Sequence, residues 1–199
     1  MATRRQPSKT HSRYRLHAQL EDIEPTIWRT IWVEGQMSLG QLHHILQAAM
    51  GWTNAHLHQF DIKGLLYSVP QPDEHEPIPV FDERRILLKD ILKLNLQFEY
   101  LYDYGDNWRH RIVVDEVKKV DQPFGAAHVE QGAGACPPED AGGTGEYEDF
   151  LNARKENPRS EEVDSFMTWA GEDFDPDRFD RHAANAALLR MAWNQWGTK

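Results

Sequence analysis

Apolar and polar positions along this chain repeat with two periods, and the period shifts as the chain proceeds. Tyr14 to Leu20 alternates weakly and carries enough large side chains to predict a strand. After Glu24-Pro25, the β-branched and aromatic run Thr26 to Val33 predicts a second strand, which Gly35 ends. The spacing then turns helical. Ser38 has the chemistry of an N-cap, Leu39, Leu42, Leu46, Ala49 and Met50 recur at helical intervals, and Gly51 is a stop.

His56 to Ile62 predicts a third strand, turning at Lys63-Gly64 into a short partner over Leu65 to Val69. Pro70 to Pro79 is a Pro- and acid-rich loop. Ile86 to Leu94 predicts a short helix with Leu87, Leu88, Ile91 and Leu92 on its apolar face. Leu96 to Tyr104 has period two, placing Phe98, Tyr100, Tyr102 and Tyr104 on one face and Gln97, Glu99, Leu101 and Asp103 on the other. Gly105-Asp106-Asn107 is turn chemistry, and Trp108 to Val114 returns, so a hairpin is expected. Pro123 to Gly145 holds few large residues and reads as a linker or a long functional loop. Glu146 to Lys155, Ser160 to Ala170 and Asp177 to Trp196 read as helices, with Pro176 opening the last.

The pattern gives an α+β fold: an antiparallel or mixed sheet, the Ser38 to Met50 helix packed on one face, and a helical C-terminal part. The expected organisation is a flexible basic arm over 1–12 and one domain over 13–199. Within that domain, 119–145 is a long Gly/Pro loop and 146–199 is helical.

Composition narrows the functions. The chain has 199 residues, enough for one sizeable core, and seven Trp to fill it. No apolar run approaches the roughly 18 residues of a membrane span. The polar, basic start lacks a secretory h-region, and the single cysteine, Cys136, fits a reducing compartment, so a cytoplasmic protein with no membrane partner is expected. The net charge of −10 argues against strong stand-alone binding to duplex DNA. The charge is uneven: Arg4, Arg5, Lys9, Arg13 and Arg15 precede the first acid, Glu21, and a solvated terminus explains them as well as a nucleic-acid arm does.

Three constellations carry candidate chemistry. In Tyr100 to Trp108, a strand with an aromatic core face accounts for the aromatics and for Gly105, but an acid such as Asp103 among them needs partners if buried. In Cys136 to Gly143, two prolines stiffen the approach, Glu139 and Asp140 form a charged tip, and two glycines permit close backbone approach. A solvated turn has the same composition. The third is histidine: His43, His44, His56 and His58 lie close in sequence, and three imidazoles with a carboxylate suit zinc, although the spacing matches no named zinc motif. Nucleophilic catalysis has little support, since no helix N-terminus follows Cys136 and no Gly-x-Ser-x-Gly elbow occurs.

With those segments in hand, the chain resembles the Ri-plasmid (pRiA) open-reading-frame-three family, whose members carry the label of insertion-element passenger proteins of the TnpR type. The resemblance rests on Ile27-Trp28-Arg29, Leu42-His43 with Gln47, Gly51-Trp52, His56-Leu57-His58-Gln59-Phe60, Tyr102 to Trp108, and Pro137-Pro138-Glu139-Asp140-Ala141-Gly142-Gly143. Where many relatives have Cys, this chain has Ala141. The resemblance implies a compact α+β fold with an antiparallel sheet and flanking helices, and association with plasmids or mobile elements. It does not imply site-specific recombination, for the chain has neither a serine-recombinase pattern nor a basic DNA-binding helix. It marks Asp103, Asp106, Trp108, Glu139 and Asp140 as family-pattern positions.

Two functions fit. One is a non-enzymatic binding or accessory module that recognises a protein or small-molecule partner through the aromatic hairpin and the Pro-Pro-Glu-Asp loop. The other is a metal-dependent hydrolase or nuclease, with Asp103, Asp106, Glu139 and Asp140 on Mg²⁺ and His43 or His58 assisting. No cofactor is required by the sequence; Mg²⁺ or Zn²⁺ is what these side chains suit. The stiff entry and glycine exit of the loop further predict that hairpin and loop form one site. In it, Glu139 or Asp140 would reach Asn107, the Trp108 ring or Arg109, and a histidine from the helix or from the His56 to His58 strand would face the same cleft.

Overall fold

The computed structural model describes residues 10–70, 79–171 and 173–196. An eight-stranded mixed sheet with five helices makes an α+β fold among these residues. Strand β1 (His11–Leu20) buries Tyr14, Leu16, Ala18 and Leu20 on one face, and β2 (Trp28–Glu34) pairs with it antiparallel, Leu16 opposite Ile31. The other edge of β1 is held by β7 (Trp108–Val120), so the first strand of the chain lies inside the sheet. The order is completed by β3 (His58–Ile62), β4 (Leu65–Ser68), β5 (Val80–Asp82), β6 (Gln97–Tyr102) and β8 (His128–Ala133), as β5-β4-β3-β6-β7-β1-β2-β8. Every pairing is antiparallel except β4 with β5.

Helix α1 (Leu39–Met50) is bounded as its sequence dictates. Ser38 accepts from the Gln41 N–H while the Gln41 side chain accepts from the Ser38 N–H, a complete capping box, and Gly51 closes the helix in the left-handed region at φ 109°. Its apolar face, Leu39, Leu42, Ile45, Leu46, Ala49 and Met50, joins the core with Phe98, Tyr100, Tyr102, Trp108, Ile112 and Val114 from the sheet. The opposite sheet face carries charge, with Arg15 paired to Asp115 and Glu116, Arg109 to Glu99, and Arg111 to Glu21. The sheet is therefore dry on one side and wet on the other, the usual state of an antiparallel sheet. No described helix is long and apolar enough to cross a membrane.

Arg29 ties the layers together. It is 1% exposed, and its guanidinium donates to the carbonyls of Trp28, Ala49, Ala133 and Gly134 while stacking on Phe179. Burial pushes it down to about 10, and the Ala49 carbonyl at the end of α1 is a natural place for a cation.

Several sequence expectations shift. The third strand begins at His58, not His56, because the chain after Gly51 first runs as a loop that lays Trp52 on the sheet. The Ile86 to Leu94 segment holds only a one-turn helix, α2 (Leu88–Ile91), since Ile86 and Leu87 pair with the segment before α1 instead. Strand β6 stops at Tyr102, so Tyr104 leaves the aromatic face and is half exposed. The 119–145 loop is not structureless: β7 runs on to Val120, and β8 forms the edge beside β2. Of the 1–12 arm, His11 and Ser12 belong to β1, while Arg4, Arg5 and Lys9 lie outside the described residues, as does most of the Pro70 to Pro79 loop. The C-terminal helices are α3 (Gly143–Glu156), α4 (Glu161–Ala170) and α5 (Arg181–Trp193). The last starts later than Pro176, at an Asp180 cap that accepts from the His182 and Ala183 N–H groups.

Candidate functional site

Three segments meet at one end of the sheet. The first follows α1. The left-handed turn at Gly51 throws the Trp52 ring onto Tyr102, with centroids 4.8 Å apart, and edge-on to His110 at 5.3 Å. The Trp52 ring N–H then donates to the Pro137 carbonyl at 2.9 Å, so a buried aromatic fixes the stiff end of the Pro-rich loop.

The second segment is the β6–β7 turn. Asp103 takes the left-handed region at φ 59°, its N–H donating to the Leu57 carbonyl and its Oδ1 accepting from the Gly105 N–H. That leaves Asp103 Oδ2 facing inward, 3.6 Å from His56 Nε2, in a residue only 7% exposed.

The third segment is 137–143. The Glu139 carboxylate accepts from the Thr53 N–H at 2.7 Å, the Thr53 hydroxyl at 3.0 Å and the Tyr102 hydroxyl at 3.0 Å. Tyr102 in turn accepts from the Ala55 and His56 N–H groups, so one phenol joins all three segments. Burial, then the Glu139 neighbour, push that phenol well above its ordinary value and keep it a donor. Asp140, also left-handed at φ 61°, puts Oδ1 3.0 Å from His56 Nε2. Asp106 closes the junction by accepting from the Gly142 N–H at 3.0 Å. A Cβ on Gly143 would lie 2.7 Å from the Asp106 carbonyl, which explains a glycine there.

The histidine and the acids therefore form a compact group. His56 Nε2 lies 3.0 Å from Asp140, 3.6 Å from Asp103 and 3.9 Å from Glu139. The ligand atoms of His56, Asp103 and Asp140 fall within 4.8 Å of one another, which makes these three, among the described residues, the side chains spaced to suit a metal ion. Clefts flank the group: His56 lines one of about 460 Å³ with Asn54, Leu57 and Ser68, and Glu139 lines another of about 450 Å³ with Trp52, Pro137 and Pro138.

The junction is made of the stretches that carried the resemblance, and the comparisons agree. The sequence profile of the plasmid pRiA4b ORF-3-like proteins matches residues 12–183. The chain belongs to the pRiA4b ORF-3-like family. A relative in that sense is the uncharacterised protein y4hQ of Sinorhizobium fredii, 34% identical, with 93% of this chain and 92% of that protein covered. Among solved structures, the protein of unknown function MM3350 from Methanosarcina mazei Go1 superposes with a TM-score of 0.76 at 31% identity, over 86% of this chain and 97% of that one.

In this pRiA4b ORF-3-like protein the other sequence candidates are placed differently. Asp106 holds the start of α3 and is not part of the ligand-spaced group at His56. Trp108 is fully buried beneath the junction, and its ring N–H has no hydrogen-bond partner among the described residues. Neither Trp108, Asn107 nor Arg109 donates to Glu139 or Asp140; the Tyr102 and Thr53 groups do that work for Glu139. His43 and His58 stack on each other at 3.4 Å, and among the described residues neither pairs with Asp103, Glu139 or Asp140. His43 bonds Tyr100 and Asn54, and His58 bonds the buried Glu83. Burial, with His58 beside it, pushes His43 down to about 2, so it stays neutral. Cys136 is held as a thiol by burial, which raises it well above its ordinary value.

His56, which the sequence offers only as one of four histidines, is the one that faces the acids, while the linking roles of Tyr102 and Thr53 carry no signal in the sequence. Extending the strand back to His56 put it on the face of His58. The turn chemistry of Thr53-Asn54 after a glycine stop was the signal that separates them, and Asn54 is left-handed at φ 62°.

Proposed function

We propose that this protein is a binding module, an accessory of the plasmid or mobile-element setting after which its family is named, and that it recognises a partner through the junction of the 52–56 loop, the β6–β7 turn and the 137–143 loop. The observation that carries this reading is Glu139. A loop with few apolar groups of its own is ordered by one carboxylate that accepts from two other segments. Ordering costs entropy, and surface loops are usually left loose, so a loop locked in place suits recognition of a fixed shape. The rim fits the same purpose. Asp140 is 72% exposed at its side chain, and Leu57 and Tyr104 are each 51% exposed beside the turn.

The test is a photo-crosslinking amino acid placed at position 140, with one at Lys118 on the charged sheet face as control, in cells of a host that carries the gene. A discrete adduct from position 140 and not from 118 supports the reading. Equal labelling from both positions, or none from 140, removes it.

The second reading, a metal-dependent hydrolase or nuclease, draws on the His56, Asp103 and Asp140 grouping. Release of nitrophenol from bis(p-nitrophenyl) phosphate or p-nitrophenyl acetate by purified protein with Mn²⁺ or Zn²⁺, abolished in His56→Ala, would favour it over the module.

A further inference from the structure

We propose that the junction holds one divalent transition-metal ion on His56 Nε2, Asp103 Oδ2 and Asp140 Oδ1. This deepens the binding reading of the same junction, but it is measured on purified protein, so failure of partner capture and failure of metal binding are separate results.

The argument begins with His56 Nε2. This atom is sealed from solvent, yet it makes no hydrogen bond of acceptable geometry. Its neighbours are carboxylate oxygens at 3.0, 3.6 and 3.9 Å. An Nε2–H finds no carboxylate acceptor in acceptable geometry here, and an Nε2 lone pair would be repelled by all three acids. A cation between ring and acids removes the conflict, because lone pair and carboxylates then become ligands together.

Charge supports the same conclusion. Asp103, Glu139 and Asp140 converge, and among the described residues no Lys or Arg forms an ion pair with any of them. Asp103 is the buried member, and a buried carboxylate with no cation beside it is costly. A dication supplies the missing positive charge within the junction.

Geometry supplies the third step. Ligand atoms around a metal with bonds near 2.1 Å lie roughly 3–3.5 Å apart. The present set spans up to 4.8 Å, so closure needs a movement of about 1 Å. The parts are suited to it. Asp103 is anchored by the Gly105 N–H and is the fixed wall, whereas Asp140 sits at the exposed tip and can swing in. Glu139, held by Thr53 and Tyr102, is the support beneath and keeps its own carboxylate oriented. Asp140, 72% exposed at its side chain, puts the site at the rim offered to a partner.

The donor set selects the ion. One imidazole with carboxylates suits Zn²⁺ or Mn²⁺, whereas an all-oxygen set would suit Mg²⁺ or Ca²⁺.

The experiment is calorimetric titration of tag-free, chelator-stripped protein with ZnCl₂, MnCl₂ and MgCl₂, repeated on His56→Gln, Asp103→Asn and Asp140→Asn. One equivalent of Zn²⁺ or Mn²⁺ should bind, more tightly than Mg²⁺, and each substitution should weaken it about tenfold or more. X-ray absorption of the Zn²⁺ form should show one imidazole in an otherwise oxygen shell. Circular dichroism guards against a variant that fails to fold, and Asp140→Asn, at an exposed tip, keeps the test decisive if Asp103→Asn does fail. Absence of stoichiometric binding overturns the proposal. So does affinity unchanged in Asp140→Asn and His56→Gln, which would put the ion on other histidines, or Mg²⁺ binding as tight as Zn²⁺.

Discussion

At the scale of single residues, Tyr102 and Trp108 separate two ways of serving one site. Tyr102 links segments through its hydroxyl, which accepts from Ala55 and His56 and donates to Glu139. Tyr102→Phe keeps the ring and orphans those groups, so a loss of about 1–3 kcal/mol is expected. Faster hydrogen exchange should be confined to 53–56 and 137–143; exchange unchanged there would show that the phenol does not order the loop. Trp108 serves by volume, being fully buried with no partner for its ring N–H among the described residues. Trp108→Ala should cost about 3–5 kcal/mol in denaturant unfolding. An unchanged midpoint would contradict its place in the core.

Two buried histidines make a further prediction. His43 is pushed down to about 2 and His110 to about 4, chiefly by burial, from an ordinary value of 6.5. Folded pKa values below the unfolded ones mean that the unfolded chain binds more protons through this range. Their stabilisation is complete above about pH 6.5 and is lost as pH falls toward the folded values. Each histidine contributes a slope approaching about 1.4 kcal/mol per pH unit once the unfolded chain is protonated. Urea midpoints measured from pH 7 to pH 5 should fall steadily; a rise over that window would be the wrong sign.

At the scale of elements, what the sequence disclosed follows from how local each cause was. Helix α1 was legible end to end, because Ser38, Gln41 and Gly51 act on their own backbone neighbours. The β6–β7 hairpin was legible from alternation, up to Tyr102. Strand β8 was not. Only Val129 among its residues is a large apolar side chain, so no alternation shows, and the strand exists because β2 offers an edge and Phe179 and Arg29 press on it. The same nonlocality kept the sequence from choosing His56 among four histidines, since its acids come from segments distant in sequence, whereas Asp103, Glu139 and Asp140 stood out through their neighbours. Gly132 tests this account of β8. A Cβ there would lie 2.6 Å from the Phe179 ring and 2.8 Å from Arg29 Cδ. Gly132→Ala should cost about 1–3 kcal/mol by overpacking. No loss of stability would mean that the ring and guanidinium do not hold the strand edge.

At the scale of the whole molecule, the charge distribution bears on partners. The net charge is −10, and the basic side chains of the open sheet face are largely committed to ion pairs with Asp115, Glu116, Glu99 and Glu21. Fluorescence anisotropy with random duplex at about 150 mM salt should therefore show no sub-micromolar affinity. Tight, salt-sensitive binding would oppose this, and its loss on removing residues 1–9 would trace it to Arg4, Arg5 and Lys9.

The position of β1 inside the sheet also has a consequence during synthesis. The partners of His11 and Leu20 on β7 are Val120 and His110. A ribosome adding about 5–20 residues per second takes roughly 5–20 s to make the chain between the two strands. For that interval β1 has β2 on one side and nothing on the other. A nascent chain with such an open edge invites a neighbouring nascent chain on the same message. Soluble yield should then respond to translation speed and to chaperone supply, even for variants whose finished fold is as stable as the parent.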